Sequence, residues 1–453
     1  MAAAALHNRL YIKRKSGEEM LDVTRNNLVT RFCGDVELPP MYRIRQKFDA
    51  SRIGEEELPS VVRGELERMG DQVRPGMRIG ITSGSRGVAN VALITKCIAD
   101  FLKEKGADPF VFPAMGSHGG ATAEGQREII ESYGVTEEYV GCPILSSMET
   151  VEVGKRPDGK PVFVDKNAFE ADGIVLCGRI KAHTAFRGPY ESGLMKMAVI
   201  GMGKQHGAEQ VHESGFHNMG KLMPQVARVI FDNTKILFGL GLIENAFDKT
   251  CKVRALLPDE IWEQEPELLK EAKGRMGRLL LDNLDVLVVD RIGKDISGDG
   301  MDPNVTGRFA CAKSASGGIN TQRIVVLGLT EASHHNANGI GMADVTTRRL
   351  AADTDLDATY PNAVTSTVLD VVKIPFVTEN DQTAIRLGVR TCNEIDREHP
   401  RIVRIQDTMH LEEIEISEAL LAEAQAAPDI EIVGGPYPWA FDENGNLWCF
   451  TKA

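Results

Sequence analysis

The sequence predicts an α/β protein of two α/β domains with mostly parallel sheets and the active site in the interdomain cleft. Three observations predict it. At 453 residues the chain is longer than one small core organises. From residue 77, apolar strand-like runs alternate with helix-spaced segments and Gly-rich turns. A charged helical segment at 262–282 interrupts the rhythm, which restarts at 284. The expected domains are 1–273 and 282–428. The first is expected to be completed by 430–453, because Trp439 and Trp448 need an apolar surface to bury.

Residues 1–60 give weak signals, punctuated by Pro39, Pro40 and Pro59. MRIGIT (77–82) reads as a buried strand, SGSRG (83–87) as a turn, and 88–106 as a helix stopped by Gly106. DPFVFPAM (108–115) is the next strand. GSHGGAT (116–122) follows, with Thr122 as the N-cap of a helix reaching about Tyr133. PVFVDKNA and GIVLCGRI (173–180) are further strands. After the charged helix, LDVLVVDRI (284–292) and RIVVLGLT (323–330) are strands flanking the Gly/Asp-rich loop 294–308. A helix at 419–429 and a strand–turn–strand close the chain.

Apolar content of 42% and charged content of 26% are those of a soluble globular protein. A net charge of −13 without a long Lys/Arg run argues against nucleic acid as the main partner. A local basic pocket for a small anion remains compatible with it. The eight cysteines are scattered, with no CxxC, and read as reduced thiols of a cytoplasmic protein. The N-terminus reads as neither signal peptide nor membrane span. Oligomeric state is not legible.

Ligands in such folds gather at the carboxyl ends of strands. Three candidates sit there: Arg86, His118 and His183. In the SGSRG turn, free backbone N–H groups, the hydroxyls of Ser83 and Ser85, and the forked guanidinium of Arg86 suit a phosphate. A plain turn with a surface arginine is the alternative. His118, beside Gly119 and Gly120, reads as a proton exchanger or as a structural cap. His183, among Arg179, Lys181 and Arg187, reads as its partner in an acid/base pair or as a surface histidine.

Lys196 lies in the apolar run GLMKMAVIGMG, where burial would favour its neutral, nucleophilic form; a snorkelling lysine is the alternative and Lys204 a rival. His206, His212 and His217, spaced by six and five, do not form a two-ligand helix face. One histidine on a metal held by another group is compatible with that spacing. Asp295, Asp299 and Asp302 lack calcium-loop spacing, and their loop reads as a closure or substrate loop.

Together these segments resemble the nickel-dependent lactate racemase family, most specifically over about 77–215. GSH with Thr122, EADGIVLCGRIKAH and the SGSR turn carry the resemblance. Ser83 stands where the family turn commonly begins with Asp, and Leu194–Met195 where a Gly pair commonly precedes the lysine. The resemblance implies a racemase or epimerase acting at C2 of a small anionic 2-hydroxy acid, lactate-like or a malate-like diacid. It implies a nickel-pincer nucleotide (pyridinium-3,5-bisthiocarboxylic acid mononucleotide nickel), made by cofactor-synthesis enzymes and attached through Lys196. His212 would ligate the nickel, and Ser83, Ser85 and Arg86 would hold the phosphate. His118 and His183 would exchange the hydroxyl proton while hydride moves to and from the cofactor. Lys181, Arg187 and Arg308 are the candidates for substrate binding. Two other readings stay open: a non-catalytic nucleotide- or phosphate-binding protein of the same fold, and a zinc-dependent hydrolase or lyase.

Overall fold

The chain lays its first strand, β1 (Met41–Gln46), into a sheet that only its last strand completes. The computed structural model describes residues 27–447. After β1 come β2 (Arg78–Ser83), β3 (Asp108–Pro113), the hairpin β4 (Thr150–Lys155) and β5 (Pro161–Asp165), β6 (Gly173–Arg179), β7 (Ile236–Glu244) and β8 (Thr250–Leu256). The second half supplies β9 (Leu284–Val289), β10 (Thr321–Val326), β11 (Val345–Thr347), β12 (Phe376–Thr378), β13 (Ile402–Ile405), β14 (Glu413–Ser417) and β15 (Ile430–Tyr437).

Two main sheets result. The five-stranded sheet runs β3-β2-β6-β7-β8, parallel except for β8. The eight-stranded sheet runs β12-β11-β10-β9-β13-β14-β1-β15, with its first five strands parallel and its last three antiparallel. The predicted mostly parallel α/β architecture is what forms.

Period-two patterning explains the first sheet. On β6, Ile174 and Leu176 enter one core while Val175 and Cys177 enter the other. Both faces are buried, so the strand reads as continuously apolar. The helix Val91–Glu104 buries Ile94, Ile98, Phe101 and Leu102, one stripe at helical spacing. Each such side chain contributes about 1.5–3 kcal/mol of burial energy.

Domain composition differs from expectation at both ends. β1 and β15 pair with each other and extend the C-terminal sheet through β14. Segment 430–447 therefore completes the C-terminal unit, not the N-terminal one. Trp439 stacks on Phe441 and donates to the Pro39 carbonyl at 3.0 Å, against the C-terminal core. Trp448 lies outside the described residues. The charged helix spans Pro258–Arg275, earlier than expected, and buries Ile261, Leu268, Leu269 and Ala272 in the N-terminal core. It belongs to that unit and does not bridge the two. Among the described residues no helix is long and apolar enough to cross a membrane.

Candidate active site

Four strand ends converge on one cleft. Arg86 follows β2, His118 follows β3, His183 follows β6, and Lys294 follows β9 of the other unit. All four are half-buried. The convergence is visible in their mutual electrostatics. His118 feels Arg86, Lys294 and Lys196, and His183 feels Lys196, His212, Lys181 and Arg187.

The His118 loop depends on left-handed backbone. Gly119 has φ +66°, and a Cβ there would lie 2.5 Å from the Gly125 carbonyl carbon. Thr122 caps the helix Ala123–Ser132 by accepting from the Gly125 N–H at 3.1 Å, as the sequence predicted. His118 Nδ1 lies 2.7 Å from the Met115 carbonyl. A carbonyl only accepts, so Nδ1 bears the proton and Nε2 is free to take one. Loss of water, with Arg86 next, pulls this imidazole down to about 3, against the opposing Met115 hydrogen bond. His118 is therefore a neutral base at physiological pH.

His183 is fixed from three sides. Its backbone N–H donates to Glu191 at 2.8 Å, and its Nδ1 accepts from the Ala185 N–H at 3.0 Å. Its Nε2 lies 2.8 Å from Lys196 Nζ. Desolvation, reinforced by Lys196, holds its pKa well below the usual value. Lys196 sits in the short helical turn Leu194–Lys196, continued as a π-helical turn over Met197–Gly201. Burial and then Arg86 lower Lys196 to about 8, opposed by Asp299.

His212 ends the helix Lys204–His212. Its Nδ1 is buried without a hydrogen-bond partner. Burial, and then Lys196, lower it to about 4. His206 instead stacks on Phe163 at 4.0 Å, and His217 pairs with Asn218 at 3.0 Å, so the loose histidine cluster contributes one member to the site. Among the described residues no group of three or more His, Cys, Asp or Glu could hold a metal, so a protein-only zinc site finds no ligand set there.

The SGSRG turn differs from expectation in register. Ser83 ends β2, and the helix starts at Val91, three residues later than predicted. The hydroxyls of Ser83 and Ser85 and the guanidinium of Arg86 make no hydrogen bond or ion pair among the described residues. Arg86 packs against Gly298 of the other unit, where a Cβ would come within 2.9 Å of its Nη2. Lys294 donates to the Gly298 carbonyl at 2.7 Å and has no ion pair. Burial and Arg86 bring it down to about 7. This placement suits a carboxylate as well as a phosphate.

The expected substrate contacts are placed otherwise. Lys181 pairs with Asp302 at 3.6 Å across the cleft. Arg187 donates to the His183 carbonyl and to Asn304 Oδ1, each at 2.6 Å, and to the Ser316 carbonyl at 2.9 Å. Both cations join the two units, and Arg187 commits its guanidinium donors to protein acceptors. Arg308 pairs with Asp344 at 3.0 Å and donates to the Gln322 carbonyl at 3.3 Å, within the C-terminal unit.

Sequence reasoning missed Lys294, Gln126 and Glu191. Lys294 stood in a loop marked only by its Gly/Asp content. Gln126 is fully buried and donates to the Gly116 and His118 carbonyls at 2.8 and 3.2 Å. It accepts from Lys204 at 3.1 Å, and Lys204 also pairs with buried Asp165 at 3.0 Å. That network accounts for Lys204 as scaffold and leaves Lys196 as the amine in the cleft.

Fold and site together define an α/β protein of two units with histidines, a lysine and cations gathered where the units meet. Residues 64–222 match the family described as the lactate racemase N-terminal domain. That stretch, about a third of the chain, holds Ser83, Arg86, His118, His183, Lys196 and His212. The lactate racemase apoprotein from Thermoanaerobacterium thermosaccharolyticum aligns in structure over 80% of this chain and 93% of its own, at 13% identity and a TM-score of 0.47. Comparison with curated proteins finds no match.

Proposed function

We propose that the chain is an isomerase, a racemase or epimerase at C2 of a small 2-hydroxy carboxylic acid. The observation supporting this reading is the meeting of His118, His183, Lys196 and His212 in one cleft beside Arg86 and Lys294, cations without salt bridges.

The residues fit the group that the family resemblance implies. His212 Nδ1 is an orphaned buried nitrogen of the type that suits nickel. Among the described residues Lys196 has no hydrogen-bond partner but His183, and it would hold the nickel-pincer nucleotide covalently. The hydroxyls of Ser83 and Ser85 would meet its phosphate. When bound, the nucleotide's pyridinium would supply a hydride acceptor and donor at C2.

The chain's own residues do the rest. Arg86 and Lys294 draw the substrate carboxylate between the two units, where low dielectric strengthens the attraction. His118 takes the hydroxyl proton at Nε2, which its Met115 hydrogen bond leaves unprotonated. His183, on a second strand end, is the other acid/base group. Closure of the two units over the cleft would exclude water from the reacting groups. A lactate-like short-chain acid ranks first, and a malate-like diacid second.

The test combines intact-protein mass spectrometry, peptide mapping, nickel analysis and chiral assay of 2-hydroxy acids, on protein made beside cofactor-synthesis enzymes. An adduct on the Lys196 peptide, stoichiometric nickel and inversion at C2 are expected. Absence of adduct under conditions that load a lactate racemase would sink the reading and favour a non-catalytic phosphate-binding protein.

A further inference from the structure

The contact between His183 and Lys196 contains a constraint on their protons. Both ring nitrogens of His183 are engaged. Nδ1 receives the Ala185 N–H at 3.0 Å, so Nδ1 bears no proton. A neutral imidazole then carries its proton on Nε2, the nitrogen 2.8 Å from Lys196 Nζ. Two acceptors on one ring would require an imidazolate, which is inaccessible near neutral pH. Nε2–H must donate, and Lys196 must accept. An ammonium has no lone pair to accept with.

We infer that Lys196 rests as a neutral amine in the unloaded chain, held by a hydrogen bond donated from His183 Nε2. His183 then has a second task besides proton exchange: it positions and keeps nucleophilic the lysine that takes the covalent group. The inference deepens the reading of Lys196 as the anchor.

The surroundings agree. The charged groups bearing on Lys196 are Arg86 and Lys181, which disfavour a further positive charge, and Asp299, which favours one. Asp299 forms no ion pair with it, and its other hydrogen-bond positions are empty among the described residues. His118, His183 and His212 all feel Lys196 in turn and are neutral. Burial adds to the same side. The cations Arg86 and Lys294 would draw an anionic acyl or carbonyl electrophile toward the amine.

Trace acetylation of the unloaded chain with acetic anhydride tests this without cofactor or turnover. The amine nitrogen bonds the acyl carbon, acetate leaves, and the amine proton passes to water. Rates at the Lys196 peptide are read by mass spectrometry from pH 6 to 11, with an added free lysine peptide as reference. A neutral resting amine requires a Lys196 midpoint below about 7, more than three units under an ordinary lysine and lower than the value near 8 that burial and the neighbouring charges set. His183→Phe keeps an aromatic ring against Phe186 but removes the donor, and should raise the midpoint by about one unit. An unchanged or lowered midpoint overturns the inference, since it would mean that His183 accepts from an ammonium.

A second measurement does not depend on that variant folding. Nitrogen NMR of the histidine-labelled wild-type chain, with His183 assigned through either His183→Phe or His183→Gln, reports the tautomer directly. A protonated Nε2 is expected, and a protonated Nδ1 overturns the inference. A chain that loads cofactor and inverts C2 while Lys196 titrates like an ordinary lysine overturns this inference alone. A low midpoint in a chain that never loads supports it and sinks the racemase reading alone.

Discussion

Arg187 reaches across the cleft to Asn304, donating from Nη2 to Oδ1 at 2.6 Å while its Nη1 holds the His183 carbonyl at the same distance. One side chain thereby links closure of the two units to the segment bearing a reacting imidazole. Its backbone N–H adds a bond to the Ser314 carbonyl at 3.0 Å, and its guanidinium lies over Phe309. Arg187→Ala should lower kcat/KM about 10- to 100-fold through misplacement of His183. Small-angle scattering should show a more open chain. Unchanged scattering and kinetics would refute the link.

His118→Ala and His183→Ala should each reduce inversion about 10²- to 10⁴-fold or more, with the fold intact by circular dichroism. Because His118 is depressed to about 3, its titration should not set the acid limb of the rate profile above pH 5. An acid limb near 6.5 that vanishes in His118→Ala would contradict this.

Lys294→Ala should raise KM for the 2-hydroxy acid about tenfold or more, through loss of a charged hydrogen-bond donor, without loss of the Lys196 adduct. Steady-state kinetics with peptide mapping separates the two effects. Loss of the adduct would instead place Lys294 on the cofactor.

Lys204→Met leaves Asp165 buried and unpaired, and should destabilise the chain by about 3–5 kcal/mol in chemical denaturation. It also removes the donor that orients Gln126 and, through it, the His118 loop. Replacing Lys204 and Asp165 together with apolar residues should recover most of the stability but not the loop's order, read by amide exchange at Gly116–Gly120.

Glu265 gives a pH signature. Its carboxyl is buried beneath the Lys196 turn, accepting from the Met195 N–H at 3.0 Å, with Oε1 unpartnered. Burial pushes it up to about 8, with backbone hydrogen bonds opposing. A raised carboxyl binds its proton more tightly folded than unfolded. Its contribution is full below the unfolded pKa near 4.5 and is lost as pH rises toward 8. Tm should therefore fall across that window more steeply in the wild-type chain than in Glu265→Gln. Parallel curves would show that the carboxyl is ionised in the folded state.

The elements nearest the site were legible because local chemistry dictates them. Thr122 caps the predicted helix, and Gly119 marks the left-handed turn beside His118. β2, β3, β6 and β9 announced themselves by runs of buried apolar residues. That Arg187 and Lys181 reach the opposite unit was not legible, because a cation near a histidine looks the same in sequence whether it meets a ligand or another part of the fold. Lys294 was missed for a related reason: its loop has no periodic pattern, and the titratable groups near it, Arg86 and His118, sit in turns that follow β2 and β3.

The sequence by itself determined the α/β class, the strand ends and the residue types that handle protons there, since periodicity and turn chemistry are local. Tertiary structure decided the rest. It sent β1 and β15 into the C-terminal sheet, where their edges find partners more than 300 residues away. It buried Lys204 against Asp165 and left Lys196 facing His183. Those choices turn on desolvation and hydrogen-bond partners, which exist only once distant segments have packed.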